Sequence, residues 1–430
     1  MLFSNISMLD EEFRLVEHAY VGINGERIDY IGTEPPEKDY GQVYDGRGRL
    51  LMAGFFNAHA HTPMTLLRGY GEGLTLSRWL NELIFPFEAR LVADDVYYST
   101  LLGIAESLRY GIISTTDMYY FGESMTRAIL DSGVKNNLGL GIVCFGGEDL
   151  DELRNYQESV ELLHQYPNTD GGRLKIDLSL HAEYTSNEKI ARQLAEASLT
   201  HQTRLHIHLS ETRAEHEACK ERRGGMTPAA YFDSVGLFQS PTTAAHCVWL
   251  EDGDLDILAA RGVSVATCPA SNLKLASGVA NAPAIQNRGI NLALGTDGVS
   301  SNNSLNYLAD LKLFAMLQKE KWQDPTLISP KEALTIATRN GARAQGRMDT
   351  GSLAVGQRAD LIVLDLTGPH MSPMHDAANQ VVYAASGSDV VLTMVDGRVL
   401  YQDGEYPTID LERVKYQVNQ SKNRILSELS

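Results

Sequence analysis

Cysteine is scarce in this chain and never closely paired. Cys144, Cys219, Cys247 and Cys268 are the four among 430 residues, and none forms a Cys-x-x-Cys. That scatter argues against a disulfide framework and fits reduced thiols in a cytosolic protein. Long apolar runs are missing too, with none approaching the ~20 residues a membrane span needs. The N-terminus, MLFSNISMLDEEFRLVE, lacks a basic stretch followed by an apolar core, so no signal peptide is expected. Positive charge is in deficit. Lysine and arginine number 37 against 55 acidic residues, a formal net charge of −18. Such a surface repels phosphate backbones and anionic membrane faces, which disfavours nucleic acid and membranes as partners. The expectation is a soluble, cytoplasmic protein acting on a small molecule, with a homo-oligomer left open. Low-complexity tracts are absent, and no Pro/Ser linker divides the chain.

What is present is an ordinary globular composition, 43% hydrophobic and 21% charged. The length allows a large core and a smaller second unit. Residues 1–52 read as short strands and turns, with Asn24-Gly25 and Asp45-Gly46 as hairpin signals. The same style returns in GQRADLIVLDL and DVVLTMVDGRVLYQDGEY, residues 356–366 and 389–406. The middle, 53–348, alternates strand-length apolar runs with helical patterns. Eight such runs, FFNAHAH, GIISTTDMY, LGLGIVCF, LKIDLSLHAEY, RLHIHLSE, TTAAHCVWL, VSVATCP and INLALGTDG, predict a (β/α)8 TIM barrel. Thr185 with Glu188 predicts a capping-box start for the helix over 186–202, and Gly111 a C-cap for the helix over 93–111. The expected organisation is therefore a β-sandwich first part at 1–52, a barrel at 53–348, and a second sandwich part with a C-terminal helix at 349–430.

A barrel of this kind carries its chemistry at the C-terminal ends of its strands. Those ends hold six of the twelve histidines: His59, His61, His181, His206, His208 and His246. Glu211 and Asp297 join them. In NAHAH, residues two apart on a strand share a face, so His59 and His61 converge. Three histidines and a carboxylate suit one divalent cation, zinc first, with iron and manganese as alternatives. His59, His61 and Asp297 are the clearest ligands. His208 is preferred over His206 as the third histidine because it sits nearer the strand end. His206 is expected one layer deeper, packing or donating to a backbone carbonyl. Glu211 stands three residues on, where a carboxylate can take a proton from a water the cation polarises. The charge run RAEHEACKERR, 213–223, reads as an exposed helix face, which removes His216 from the ligand candidates.

Together, NAHAHTPMTLLRG, WLNELIFPFEARL, HLSET, AAHCVWL, CPASNLKLASG and GTDGVSSNNSLN make the chain similar to the amidohydrolase superfamily. Within it, the chain most resembles the methylthioadenosine/S-adenosylhomocysteine deaminases. The resemblance implies a mononuclear metal site on His59, His61, His208 and Asp297. It implies that Glu211 shuttles a proton between water and the purine N1, and that His246 orients the attacking water. Asp297 would also take a proton and help deliver it to departing ammonia. Glu88 in FPFEARL would bind ribose hydroxyls, although alone it reads as a solvated helix charge near Arg90. His181 would contact the nucleoside, and Ser301 would lie near the purine or sugar. Trp79 reads as a hydrophobic anchor in the loop after the first barrel strand.

Two places depart from that pattern. Ala53 stands where the relatives carry the proline of a Pro-Gly-Phe, which only loosens a turn. The region GIVCFGGED also lacks the arginine that would clamp an amino-acid carboxylate at the end of the third barrel strand. That absence favours a small or apolar 5′ group, as in methylthioadenosine, 5′-deoxyadenosine or adenosine, over S-adenosylhomocysteine. Guanine or cytosine deamination and triazine dechlorination share the metal set and remain alternatives. A metal-binding protein without catalysis is the alternative of another class.

Overall fold

Short alternating segments open the chain as β1 (Leu2–Leu9), β2 (Leu15–Asn24), β3 (Arg27–Gly32), β4 (Val43–Asp45) and β5 (Arg49–Ala53). The structure, a computed structural model, describes residues 1–167 and 169–429. Asn24-Gly25 closes the antiparallel β2–β3 hairpin as its sequence demands. Asp45-Gly46 makes no hairpin, contrary to the sequence expectation. β4 and β5 both run parallel to β1 and form one interrupted edge along it. Gly46 permits that close crossing, since a Cβ there would stand 2.3 Å from Ile6 Cβ.

Only Gly54 separates β5 from the barrel. All eight expected barrel strands form: β6 (Phe55–Ala60), β7 (Ile112–Tyr119), β8 (Lys135–Ile142), β9 (Leu174–Leu180), β10 (Leu205–Leu209), β11 (Thr242–His246), β12 (Ser264–Thr267) and β13 (Leu292–Leu294). Neighbours pair in parallel in chain order. Their near-continuous burial explains why the runs read as apolar throughout rather than alternating. The barrel closes where its first and last strands meet. The Asp297 amide donates to the His59 carbonyl at 3.0 Å, and the Asn57 side chain brackets Thr296. Gly295 is required at this seam, because a Cβ would lie 2.9 Å from His59 Cβ.

The chain returns to the first sheet as β14 (Leu361–Asp365), β15 (Val390–Val395) and β16 (Arg398–Gln402). β14 pairs with β5, so both chain ends share one mixed sheet of eight strands. Phe3, Ile6, Val21, Leu361, Leu392 and Met394 give this layer an apolar core of its own. One buried lysine bolts it to the barrel. Lys135, at the start of β8, donates to Asp360 and to Asp396, the latter at 2.6 Å, and is 2% exposed.

The helix over 93–111 runs Ala93–Arg109, and Gly111 follows it with φ +80°. The C-terminal helix Leu411–Leu429 lies against it, through Arg424 to Asp95 and Arg413 to Tyr98. The helix expected over 186–202 runs Glu188–Thr200, but its cap is Asn187, which accepts from the Ile190 amide. Thr185 lies in the preceding turn, with its hydroxyl 3.0 Å from His181 Nδ1. Among the described residues, no helix is long and apolar enough to cross a membrane.

Candidate active site

Strand alternation delivers His59 and His61 together from the end of β6, as the sequence requires. His208 arrives from β10, and Asp297 from just beyond β13. His59 Nε2 and His61 Nε2 each stand 3.3 Å from Asp297 Oδ1. His208 Nε2 stands 3.3 Å from His61 Nε2. His59, His61 and His208 present ligand atoms within 4.8 Å of one another, as do His59, His246 and Asp297. The backbone bends sharply to achieve this. His246 has φ +69° and Asp297 φ +61°, left-handed values that non-glycine residues adopt at a cost.

Hydrogen bonds behind the imidazoles set their tautomers. His61 Nδ1 donates to the Met118 carbonyl, and His208 Nδ1 to the His181 carbonyl at 2.7 Å. Both Nε2 atoms therefore offer lone pairs into the site. His59 Nε2 is buried without a hydrogen-bond partner. Burial drives its pKa down to about 3, and pushes His208 well below the ordinary histidine range. Both are thus neutral donors. Burial opposes the Asp297 carboxylate, but His59 and His61 beside it hold it well below the usual range. Neutral nitrogens, one carboxylate oxygen and an orphaned buried Nε2 are the donor set of a divalent cation.

His206 lies one layer deeper and is fully buried, as expected. Its partner differs: Nε2 meets His59 Nδ1 at 2.9 Å rather than a backbone carbonyl. It buttresses His59 from below.

On the open side stand the acid–base candidates. His246 Nε2 lies 3.8 Å from Glu211 Oε2, and Ser277 Oγ 3.4 Å from Glu211 Oε1. Burial raises the Glu211 carboxyl, against the pull of His246. Ser301 reaches Asp297 Oδ2 at 3.1 Å, so its hydroxyl serves that carboxylate first. Glu88, His181, Ser301, Trp79, Tyr119 and Tyr184 line one pocket with the histidines. Glu88 is not a solvated charge paired with Arg90. It faces this pocket, and burial lifts its pKa to about 7 against the pull of the Tyr119 hydroxyl. Trp79 is 6% exposed, both core anchor and pocket wall.

Several residues here escaped the sequence. Asn272 Oδ1 lies 3.0 Å from His246 Nδ1, and Ser271 Oγ 2.5 Å from Asp297 Oδ2. The run 213–223 is not simply an exposed face. Glu215 and His216 are buried, and Glu215 accepts the Ser210 and Glu211 amides at 3.1 and 2.8 Å. The Thr212-x-x-Glu215 capping box was the available signal. Arg154 lines an adjoining cavity whose wall, at Phe85, Tyr120 and Gly141, is shared with the main pocket.

A parallel barrel gathering these donors at its C-terminal mouth is an amidohydrolase architecture, and the chain belongs to that family. The amidohydrolase family model matches residues 50–400. The chain is 37% identical over 417 residues to the 5-methylthioadenosine/S-adenosylhomocysteine deaminase of Dictyoglomus thermophilum, covering 97% of each. It is 38% identical over 398 residues to the 5′-deoxyadenosine deaminase of Methanothermobacter thermautotrophicus, covering 92% of each. An adenosine deaminase from Xanthomonas campestris, solved with bound zinc, superposes with a TM-score of 0.93 at 31% identity. That match covers 99% of this chain and 98% of the other.

Proposed function

We propose that this chain hydrolytically deaminates an adenosine-type nucleoside to its inosine analogue and ammonia. The observation that carries the reading is the Glu211–His246 pair beside the converging donors of His59, His61, His208 and Asp297. The named deaminase relatives support it. These four residues would hold one divalent cation, zinc by the chemistry of the donors and by the Xanthomonas relative. Such a cation supplies a Lewis acid that lowers the pKa of a water to about 7.

The chain's own residues then divide the proton work. Glu211 takes a proton from the attacking water and passes it to purine N1, which makes C6 electrophilic. His246, held through Nδ1 by Asn272, presents Nε2 towards that water. Asp297 takes the second water proton and returns it to the amino group, which departs from C6 as ammonia. Ser271 and Ser301 hold the Asp297 carboxylate in orientation for this transfer. Glu88 accepts the ribose hydroxyls, and His181 contacts the sugar side of the nucleoside.

Arg154 bears on the 5′ end. No arginine stands at Cys144 or Phe145, but the exposed Arg154 lines a cavity that shares a wall with the pocket. It supplies a partner for a distal carboxylate. We therefore place S-adenosylhomocysteine among the substrates, behind methylthioadenosine, 5′-deoxyadenosine and adenosine. Guanine deamination and triazine dechlorination would leave Glu88 without a ribose to bind.

The test is a panel of adenosine, 5′-deoxyadenosine, methylthioadenosine, S-adenosylhomocysteine and guanine, followed by purine absorbance. The adenosine compounds should be consumed and guanine spared. Guanine turnover without adenosine turnover overturns the reading. Glu211→Gln should keep its metal and lose ~10²–10⁴-fold in kcat, and full activity in that variant removes the shuttle.

A further inference from the structure

The opposite mouth of the barrel holds a further cavity, of about 450 Å³, between residues 163–167, residues 201–204 and Gly346. Lys175, Arg204, His164 and His201 come together on its walls. Lys175 begins β9 and His181 follows its end, so about 20 Å of strand separates this cavity from the active site.

The two cations here are compensated only in part, both by Asp177 on the same wall and Lys175 also by Asp349. Lys175 Nζ donates to the Gly346 carbonyl at 2.8 Å, and Arg204 Nη2 to the Ala344 carbonyl at 2.6 Å. Among the described residues, neither has a carboxylate at ion-pair distance. Arg204 Nε is buried with no hydrogen-bond partner at all. Asp177 is the carboxylate on the wall, and it already accepts from the Asn137 amide at 3.0 Å. Burial, helped by Arg347 and Arg204 and opposed by Asp177 and Asp349, lowers the Lys175 pKa to about 8. A protein of net charge −18 thus keeps two cations on the wall of one cleft, where its surface would otherwise repel anions.

We propose that this cavity binds a small oxyanion, a phosphate or carboxylate group, through Lys175 and the Arg204 guanidinium. A planar guanidinium beside an ammonium meets two oxygens of one anion at once. The histidines and Thr203 complete a polar rim.

Isothermal titration with sodium phosphate, and separately with sodium citrate, tests this at ionic strength held constant with chloride. Saturable binding of one or both is expected. Phosphate alone assigns a phosphoryl ligand, and citrate alone assigns a carboxylate. Lys175→Met and Arg204→Gln should each weaken binding about tenfold or more, the worth of one charged hydrogen bond. Gln202→Glu keeps both cations and adds a negative charge at the exposed rim, so it should weaken binding without unfolding the chain. Absence of saturable binding of both anions overturns the proposal. So does binding that survives Gln202→Glu and whichever of the other two variants folds.

Discussion

His61 and His208 face each other Nε2 to Nε2 at 3.3 Å, with both Nδ1 atoms turned onto backbone carbonyls. Two lone pairs at that distance repel unless a proton or a metal cation lies between them. Removing the cation with a chelator should therefore abolish deamination and lower the melting temperature. Ligand loss destabilises the native state by mass action. Scanning calorimetry before and after chelation, then after zinc is restored, checks both effects. A melting temperature indifferent to chelation would count against the site.

Asn272 should act through His246. Asn272→Ala removes the hydrogen bond to His246 Nδ1, which in the proposed mechanism aims Nε2 at the attacking water. A loss of about 1–2 kcal/mol, roughly tenfold in kcat, is expected. KM should move little, because Asn272 touches no substrate. A fall in kcat/KM carried by KM instead would mean the residue shapes the pocket.

Glu88 makes binding depend on pH. Its pKa is about 7, raised by burial. In the proposed function the ionised form accepts ribose hydroxyls, so KM for adenosine should fall as pH rises through 7. Glu88→Gln should raise KM and flatten that dependence. A 2′,3′-dideoxy substrate should show neither effect. Steady-state kinetics between pH 6 and pH 8, read as about one unit either side of that pKa, decide it.

Lys135 should govern stability without touching catalysis. Lys135→Met strands the buried Asp360 without its cation and leaves Asp396 to Arg358 alone. Breaking a buried pair from one side costs about 3–5 kcal/mol. Urea denaturation should show that loss, while kcat of the protein that remains folded should hold. A change under about 1 kcal/mol would place this joint with ordinary surface pairs.

The residues legible in advance were those whose role follows from local spacing. His59 and His61 share a face because strand residues alternate, and Asp297 stood out in a strand-end Gly-Thr-Asp-Gly. Spacing could not choose between His206 and His208, which share a face; nearness to the strand end favoured His208, and the fold sets His208 beside His61 and His206 behind His59. Spacing also misjudged 213–223. Its charges looked solvated, yet Glu215 and His216 turn inward to hold the Glu211 loop. Asn272 carried no local signal, since its partner His246 is distant in the chain, and Arg154 none, since only the fold sets it beside the pocket wall.

The sequence by itself determined eight buried parallel strands, the helical segments between them and the chemical types of the candidate ligands. Short-range periodicity and side-chain chemistry suffice for those. Only the tertiary structure decided that the ligands meet. Residues 59 and 297 lie at opposite ends of the barrel's strand order, and become neighbours because the Asp297 amide bonds to the His59 carbonyl where the barrel closes. Left-handed backbone at His246 and Asp297 then turns both side chains inward. Strain of that kind is held by the surrounding packing, which no stretch of local sequence contains.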